Sequence, residues 1–223
     1  MTKKLFFQAM IKFFCGVLVI GLLLFLPAGS FAYWNAWLFM GILFIPMFFI
    51  GIILMLKNPE LLRKRLNAKE PEAEQGLVIL LGGIMFIAGF ISAGLNFRYQ
   101  WLVLPDAVSW TATVIFLAAY ILYAEVLREN SYLSRTVEVQ DGQKVIDTGL
   151  YGIVRHPMYG VTLILFFAIP FVLGSAVSVA AFLAYPVLIA KRIRNEEKIL
   201  EDGLAGYADY KKKVKYKVIP FVW

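Results

Sequence analysis

Pro157-Met-Tyr-Gly-Val-Thr-Leu-Ile-Leu-Phe-Phe-Ala-Ile-Pro170-Phe-Val-Leu-Gly174-Ser175-Ala-Val-Ser-Val-Ala-Ala-Phe-Leu-Ala-Tyr-Pro186-Val-Leu-Ile-Ala190 is an apolar run too long for one membrane-spanning helix and too short for two with a generous loop. A helix rises ~1.5 Å per residue and the hydrocarbon layer is ~30 Å thick, so one span takes about 20 residues. Gly174-Ser175, near the middle, supplies turn chemistry and predicts a tight antiparallel hairpin of two helices. The alternative is one long helix kinked at Pro170 or Pro186.

Just before this run stands Asp147-Thr-Gly-Leu-Tyr-Gly-Ile-Val-Arg-His156, which holds the single histidine of the chain. Proline suits the first turn of a helix, where its missing N–H would be unpaired anyway. Arg155 and His156 are therefore predicted at the N-terminus of the first hairpin helix, where free N–H groups and the helix dipole favour an anion. A hairpin turning at Gly174-Ser175 puts His156 level with about Ile193. The second arm can then leave the membrane through Lys191-Arg-Ile-Arg-Asn-Glu-Glu-Lys-Ile-Leu200, with Arg192 and Glu196 four apart on one face.

The rest of the chain has the same character. Of its 223 residues, 61% are hydrophobic and 17% charged, against ~45 to 50% and ~25% in soluble domains. Apolar runs ending near Gly29 and covering about Ala36 to Leu56, Leu77 to Phe97 and Ala107 to Leu127 are further spans. The first is read as a retained span rather than a cleaved signal, although Ser30-Phe-Ala32 resembles a cleavage site. The expected fold is an all-α integral membrane protein of about six transmembrane helices, with a C-terminal helical hairpin, a cytoplasmic C-terminal helix and a tail. With six crossings, Met1 to Lys12, Lys57 to Gln75, Arg128 to Arg155 and Lys191 to Trp223 share one side and hold 21 of the 22 Lys and Arg residues; only Arg98 falls opposite. That bias makes theirs the cytoplasmic side, and it accounts for the net charge of +7 without nucleic acid. Cys15 alone can form no internal disulfide, and no Cys/His spacing supports a metal site.

One mouth is thus expected to present cations (Arg155, His156, Arg192) and anions (Glu196, Glu197), a set suited to a zwitterion such as an amino-acid moiety. Against this stands interfacial charge alone, with Arg and Lys snorkelling and Glu pairing along an exposed helix. Glu125, near the end of the fourth span, is a further candidate by depth or a residue that reaches water. Thr136 to Ile146 alternates like a strand with a turn at Asp141-Gly142, a wall over the mouth. Gly82, Gly83, Gly89 and Gly94 are read as points of close helix contact.

Gly149-x-Tyr151, Arg155-His-Pro-Met-Tyr159, Arg192-x-x-x-Glu196-Glu197-x-x-Leu200, Gly206-Tyr-x-x-Tyr210 and Ile219-Pro220, in this order and spacing, resemble the isoprenylcysteine carboxyl methyltransferase family over about Tyr120 to Trp223. The resemblance implies a membrane-embedded helical enzyme that binds S-adenosylmethionine near the cytoplasmic surface and methylates the carboxylate of a prenylcysteine-type acceptor. It divides the chain into N-terminal helices, 1–119, and a cofactor-binding and catalytic region, 120–223. It implies cofactor contacts from Gln140, from Lys144, Val145 and Ile146, from Tyr151, from His156, Pro157, Met158 and Tyr159, and from Glu196 and Glu197. Arg192 and Arg155 are then the catalytic residues, with Arg192 holding the acceptor carboxylate. Leu150, where the family often has proline, and Gly160, directly after the motif tyrosine, depart from the pattern. The expected partners are the bilayer and a lipophilic carboxylate-bearing substrate. Rival readings are a sterol-reductase-like oxidoreductase using NADPH, or a small transporter or assembly protein with no enzymatic role.

Overall fold

The computed structural model describes residues 3–67, 73–134 and 136–223. The middle of the Lys57 to Gln75 loop and Arg135 of the next polar loop lie outside the described residues. The elements are α1 (Lys3–Ala28), α2 (Trp34–Lys57), α3 (Pro59–Leu66), α4 (Ala73–Tyr99), α5 (Asp106–Glu129), a 3-10 turn (Gly149–Gly152), α6 (Pro157–Val172), α7 (Ala176–Phe182), α8 (Tyr185–Gly203) and α9 (Tyr207–Lys213). Among the described residues, α1, α2, α4, α5 and the α7–α8 arm are long and apolar enough to cross a membrane. Apolar α6, with 16 residues, rises about 24 Å and falls short of a full ~30 Å crossing. The expected six spans therefore resolve into five long helices and one shorter apolar one.

The hairpin forms as its glycine-serine pair predicts. Gly174 takes φ +65°, a left-handed conformation that costs glycine nothing, and the Ser175 side chain caps α7 by accepting from the Ser178 N–H at 3.3 Å. The last carbonyls of α6 would be orphaned in hydrocarbon. They are satisfied instead: Asn35 Nδ2 donates to Val172 O at 3.1 Å, the Ser109 hydroxyl to Phe171 O at 3.1 Å and the Tyr33 hydroxyl to Leu173 O at 2.6 Å. Residues of α2, the α1–α2 link and α5 thus hold the hairpin tip. The return arm breaks at Leu183-Ala184 and restarts as α8 with Pro186 in its first turn, so this proline marks a helix start rather than a mid-helix kink.

Helix α6 packs along α5, α1 along α4, and α4 also against α7 and α8. Buried Phe39, Phe90, Phe116 and Phe182 fill the space between them. The four α4 glycines read as points of close helix contact divide into two kinds. A Cβ on Gly94 would stand 2.6 Å from the Leu24 carbonyl oxygen and one on Gly89 2.5 Å from the Phe182 ring, whereas Gly82 and Gly83 face open space. Gly94→Ala must push α1 and α4 apart, and a loss of about 1–3 kcal/mol is expected; Gly82→Ala should be neutral or slightly stabilising. Thermal unfolding in detergent compares the two, and equal behaviour would remove the close-contact reading of Gly94.

One sequence expectation changes here, and one of two alternatives is favoured. Thr136 to Ile146 forms no strand among the described residues, because no neighbouring edge pairs with its backbone. The turn within it does form, with Gly142 at φ +69° and the Gln143 N–H donating to Gln140 O at 3.0 Å. Glu125 pairs with Arg128 at 2.6 Å on an exposed helix face, which is its ordinary use at an interface. Cys15 is free and exposed on α1.

Candidate active site

The site is built where α6 begins, against α8. His156 is the N-cap residue of α6 and Pro157 opens the helix, as the sequence predicts. The backbone N–H groups just before the helix are already taken, however. The backbone N–H of Arg155 donates to Tyr216 O at 2.9 Å and that of His156 to Lys217 O at 2.7 Å. Arg155 is buried and donates from Nη1 to Val214 O at 2.7 Å and Lys215 O at 2.8 Å, and from Nε to Glu197 Oε1 at 2.8 Å. The same Glu197 oxygen lies 3.2 Å from His156 Nε2, and its partner oxygen 3.1 Å from Lys217 Nζ. Glu197, Arg155 and His156 are buried, so this is a compensated ion cluster that fastens the start of α6 to α8 and to the extended segment 214–217.

One residue along α8, about 100° around the helix, the arrangement differs. Glu196 keeps a quarter of its side chain exposed. Its Oε2 accepts from the Tyr159 hydroxyl at 2.5 Å, and its Oε1 lies 3.8 Å from His156 Nδ1. Arg192 Nε donates to the same Tyr159 hydroxyl at 2.9 Å. Tyr159 therefore bridges a guanidinium and a carboxylate at the end of an apolar hairpin, the i,i+4 pair read from sequence. The opposed charges expected at the mouth do meet, as two linked clusters: Arg155–His156–Glu197–Lys217, closed on itself, and Arg192–Tyr159–Glu196.

The remaining predicted site residues surround these. The Tyr151 hydroxyl accepts from Asn130 Nδ2 at 3.0 Å and its carbonyl from the Tyr210 hydroxyl at 2.7 Å. Burial pushes both phenols above their ordinary range, so they stay neutral. Gln140 is half-buried and donates to Tyr132 O at 2.6 Å, while its Oε1 is buried with no partner among the described residues. Val145 packs on the small cluster of Leu204, Tyr207, Tyr210 and Val214, Ile146 on the main core, and Lys144 is exposed. Lys213 donates to Asp147 at 2.7 Å and holds its carboxyl below the usual range, tying α9 to the loop before the site. The Tyr207 hydroxyl is buried without a partner among the described residues; burial first, then Glu197 and Glu196, push it up. Among the described residues no group of His, Cys, Asp and Glu could hold a metal ion.

Lys217 and Arg65 belong to this neighbourhood and were missed by sequence reasoning. Lys217 sits in a lysine-rich tail that offers no periodicity to single it out. Arg65 had a usable signal: Leu61 and Arg65 are four apart, so burying Leu61 turns Arg65 inward.

An all-helical fold of long apolar helices, with charged and hydroxyl groups collected at the end of its C-terminal hairpin, defines an integral membrane protein with a polar site beside the lipid. Residues 110–202 match the model of the isoprenylcysteine carboxyl methyltransferase (ICMT) family, and over this segment the chain is similar to that family. The match points to a membrane methyltransferase, in a family that generally uses S-adenosylmethionine. Comparison with curated proteins gave no match.

Proposed function

We propose that this protein transfers a methyl group from S-adenosylmethionine to the carboxylate of a lipophilic, isoprenylcysteine-type acceptor at the cytoplasmic face of a membrane. The observation that carries this is the Arg192–Tyr159–Glu196 cluster at the mouth of an apolar hairpin. The donor set fits the cofactor. Glu196, partly exposed, can pair with its ammonium; Gln140 Oε1, Asn195 Nδ2 and the Tyr207 hydroxyl are buried polar atoms lacking partners among the described residues that can serve its polar groups. Tyr151, the backbone of Lys144 to Ile146, and His156 to Tyr159 would complete its binding site. When bound, S-adenosylmethionine supplies a methyl whose bond to sulfur breaks with the electron pair staying on sulfur, while a carboxylate oxygen forms the new bond to carbon.

A carboxylate, with an ordinary pKa near ~4, is already ionised at neutral pH, so the chain need supply no strong general base. Its residues position the reactants, a contribution worth on the order of 7–11 kcal/mol in well-oriented pairs. Arg192 holds the acceptor carboxylate, and the Tyr159 hydroxyl on its Nε restrains the guanidinium plane that a two-toothed pair requires. The closed Arg155–Glu197 cluster makes Arg155 a positioning residue: it fixes the start of α6, and with it His156 to Tyr159, against α8. Residues 1–119 serve as the lipid-embedded scaffold and 120–223 as the cofactor-binding and catalytic unit. The Lys and Arg distribution supports a cytoplasmic position for both termini and the site.

Calorimetry on detergent-solubilised protein should show selective stabilisation by S-adenosylhomocysteine, growing with ligand concentration, and none by NADPH. Stabilisation by NADPH alone would transfer the reading to a membrane reductase, and stabilisation by neither would remove the methyl-donor site.

A further inference from the structure

Helix α3 is a short amphipathic element. Asn58 caps it by accepting from the Leu61 N–H at 3.1 Å, Pro59 opens it, and Leu61 and Leu62 are buried. Glu60 and Arg63 pair on its exposed side, while Arg65 on the inner side behaves differently. Its Nη2 donates to the Tyr123 hydroxyl, its Nη1 lies 3.3 Å from Ser134 O and 3.9 Å from Met158 Sδ, and the guanidinium stands over the Tyr123 ring at 5.7 Å. All these partners are neutral, and among the described residues no carboxylate comes within 4.0 Å of it. A half-buried guanidinium without a counter-charge is costly, and an incoming anion offsets that cost.

The surroundings say where that anion belongs. Met158 precedes Tyr159, the residue that joins Arg192 to Glu196. The Tyr151 hydroxyl feels both Arg65 and Glu196, which puts these two in one polar neighbourhood. A methyl donor with an amino-acid end and a carboxylate acceptor together bring two carboxylates. The cations that the sequence offered for one of them, Arg155 and His156, are occupied by Glu197.

We infer that Arg65, seated on Tyr123, is a second carboxylate-binding point of this site, distinct from Arg192, so that the two arginines divide the two carboxylates between them. The inference rests on the methyltransferase reading for the source of its ligand, either the donor's amino-acid end or the acceptor.

The test measures binding to the full chain in detergent for wild type, Arg65→Gln and Arg65→Lys. S-adenosylhomocysteine is compared with 5′-deoxy-5′-methylthioadenosine, which lacks the amino-acid end, and N-acetyl-S-farnesylcysteine with its methyl ester. Arg65→Gln should lose roughly 10- to 100-fold in affinity for one carboxylate-bearing ligand and nothing for its neutral counterpart; Arg65→Lys should recover part of the loss. A loss in the first pair assigns Arg65 to the donor, a loss in the second to the acceptor. Wild-type ratios in both pairs overturn the inference. If the glutamine variant does not fold, the same ratios are read on Arg65→Lys, which loses the fork, and unchanged ratios there overturn it equally. Should the wild type bind neither nucleoside, the methyl-donor reading fails separately, and the acid and ester pair still decides the role of Arg65.

Discussion

Glu197→Ala will destabilise the folded protein by about 3–5 kcal/mol, the cost typical of breaking a buried ion pair by removing one partner. Among the described residues this carboxylate is the only one paired with buried Arg155, and it also meets His156 and receives Lys217. Its removal leaves cationic groups in a space from which water is largely excluded. It also loosens Arg155, whose two bonds to Val214 O and Lys215 O tie the C-terminal segment across the start of α6. Glu197→Gln should fall between wild type and alanine, because an amide oxygen still accepts from Arg155 but carries no charge. Thermal unfolding in detergent without ligand reads the effect. An alanine variant that unfolds with the wild type would mean that the cluster does not fasten the site.

The contrast between Glu196 and Glu197 shows what the sequence could carry. Both stand in the same motif, and charge alone makes them equivalent. Which of them turns inward depends on the rotation of α8 against α6, and the helical step between neighbours then gives one a buried counter-ion role and the other an exposed edge at the site. The hairpin itself was readable because its signals are local: an apolar run of fixed length, a glycine able to take positive φ, and a serine able to cap. The meeting of His156 with the Glu196-Glu197 pair followed from that turn, one helical turn beyond the predicted level at Ile193. Thr136 to Ile146 misled because alternation specifies a strand only where an edge is there to pair with it. Arg65 was hidden for the opposite reason. In a loop rich in Lys and Arg it counted toward orientation, and only the folded arrangement, with Leu61 buried and Arg65 against Tyr123 and Met158, shows that it turns inward.

Arg192→Ala should lower turnover by roughly 10²- to 10³-fold or more, the range seen when one preorganised electrostatic contact to the reacting group is lost, while S-adenosylhomocysteine still binds within a few-fold of wild type. The split follows from the two ends of its cluster. Glu196 and its bond from the Tyr159 hydroxyl stay in place, so the cofactor's ammonium keeps its partner. The acceptor carboxylate loses the group that orients it. Because Arg192 is half-buried and outside the Arg155–Glu197 cluster, the variant should unfold near the wild-type temperature, which separates it from Glu197→Ala. Arg192→Lys should restore charge without the two-toothed geometry and so recover only part of the rate. Turnover is measured with labelled methyl donor and N-acetyl-S-farnesylcysteine, and binding by calorimetry on the same preparations. If a folded Arg192→Ala loses cofactor binding together with turnover, the guanidinium serves the donor rather than the acceptor, and the division of roles between Arg192 and Glu196 has to be reversed.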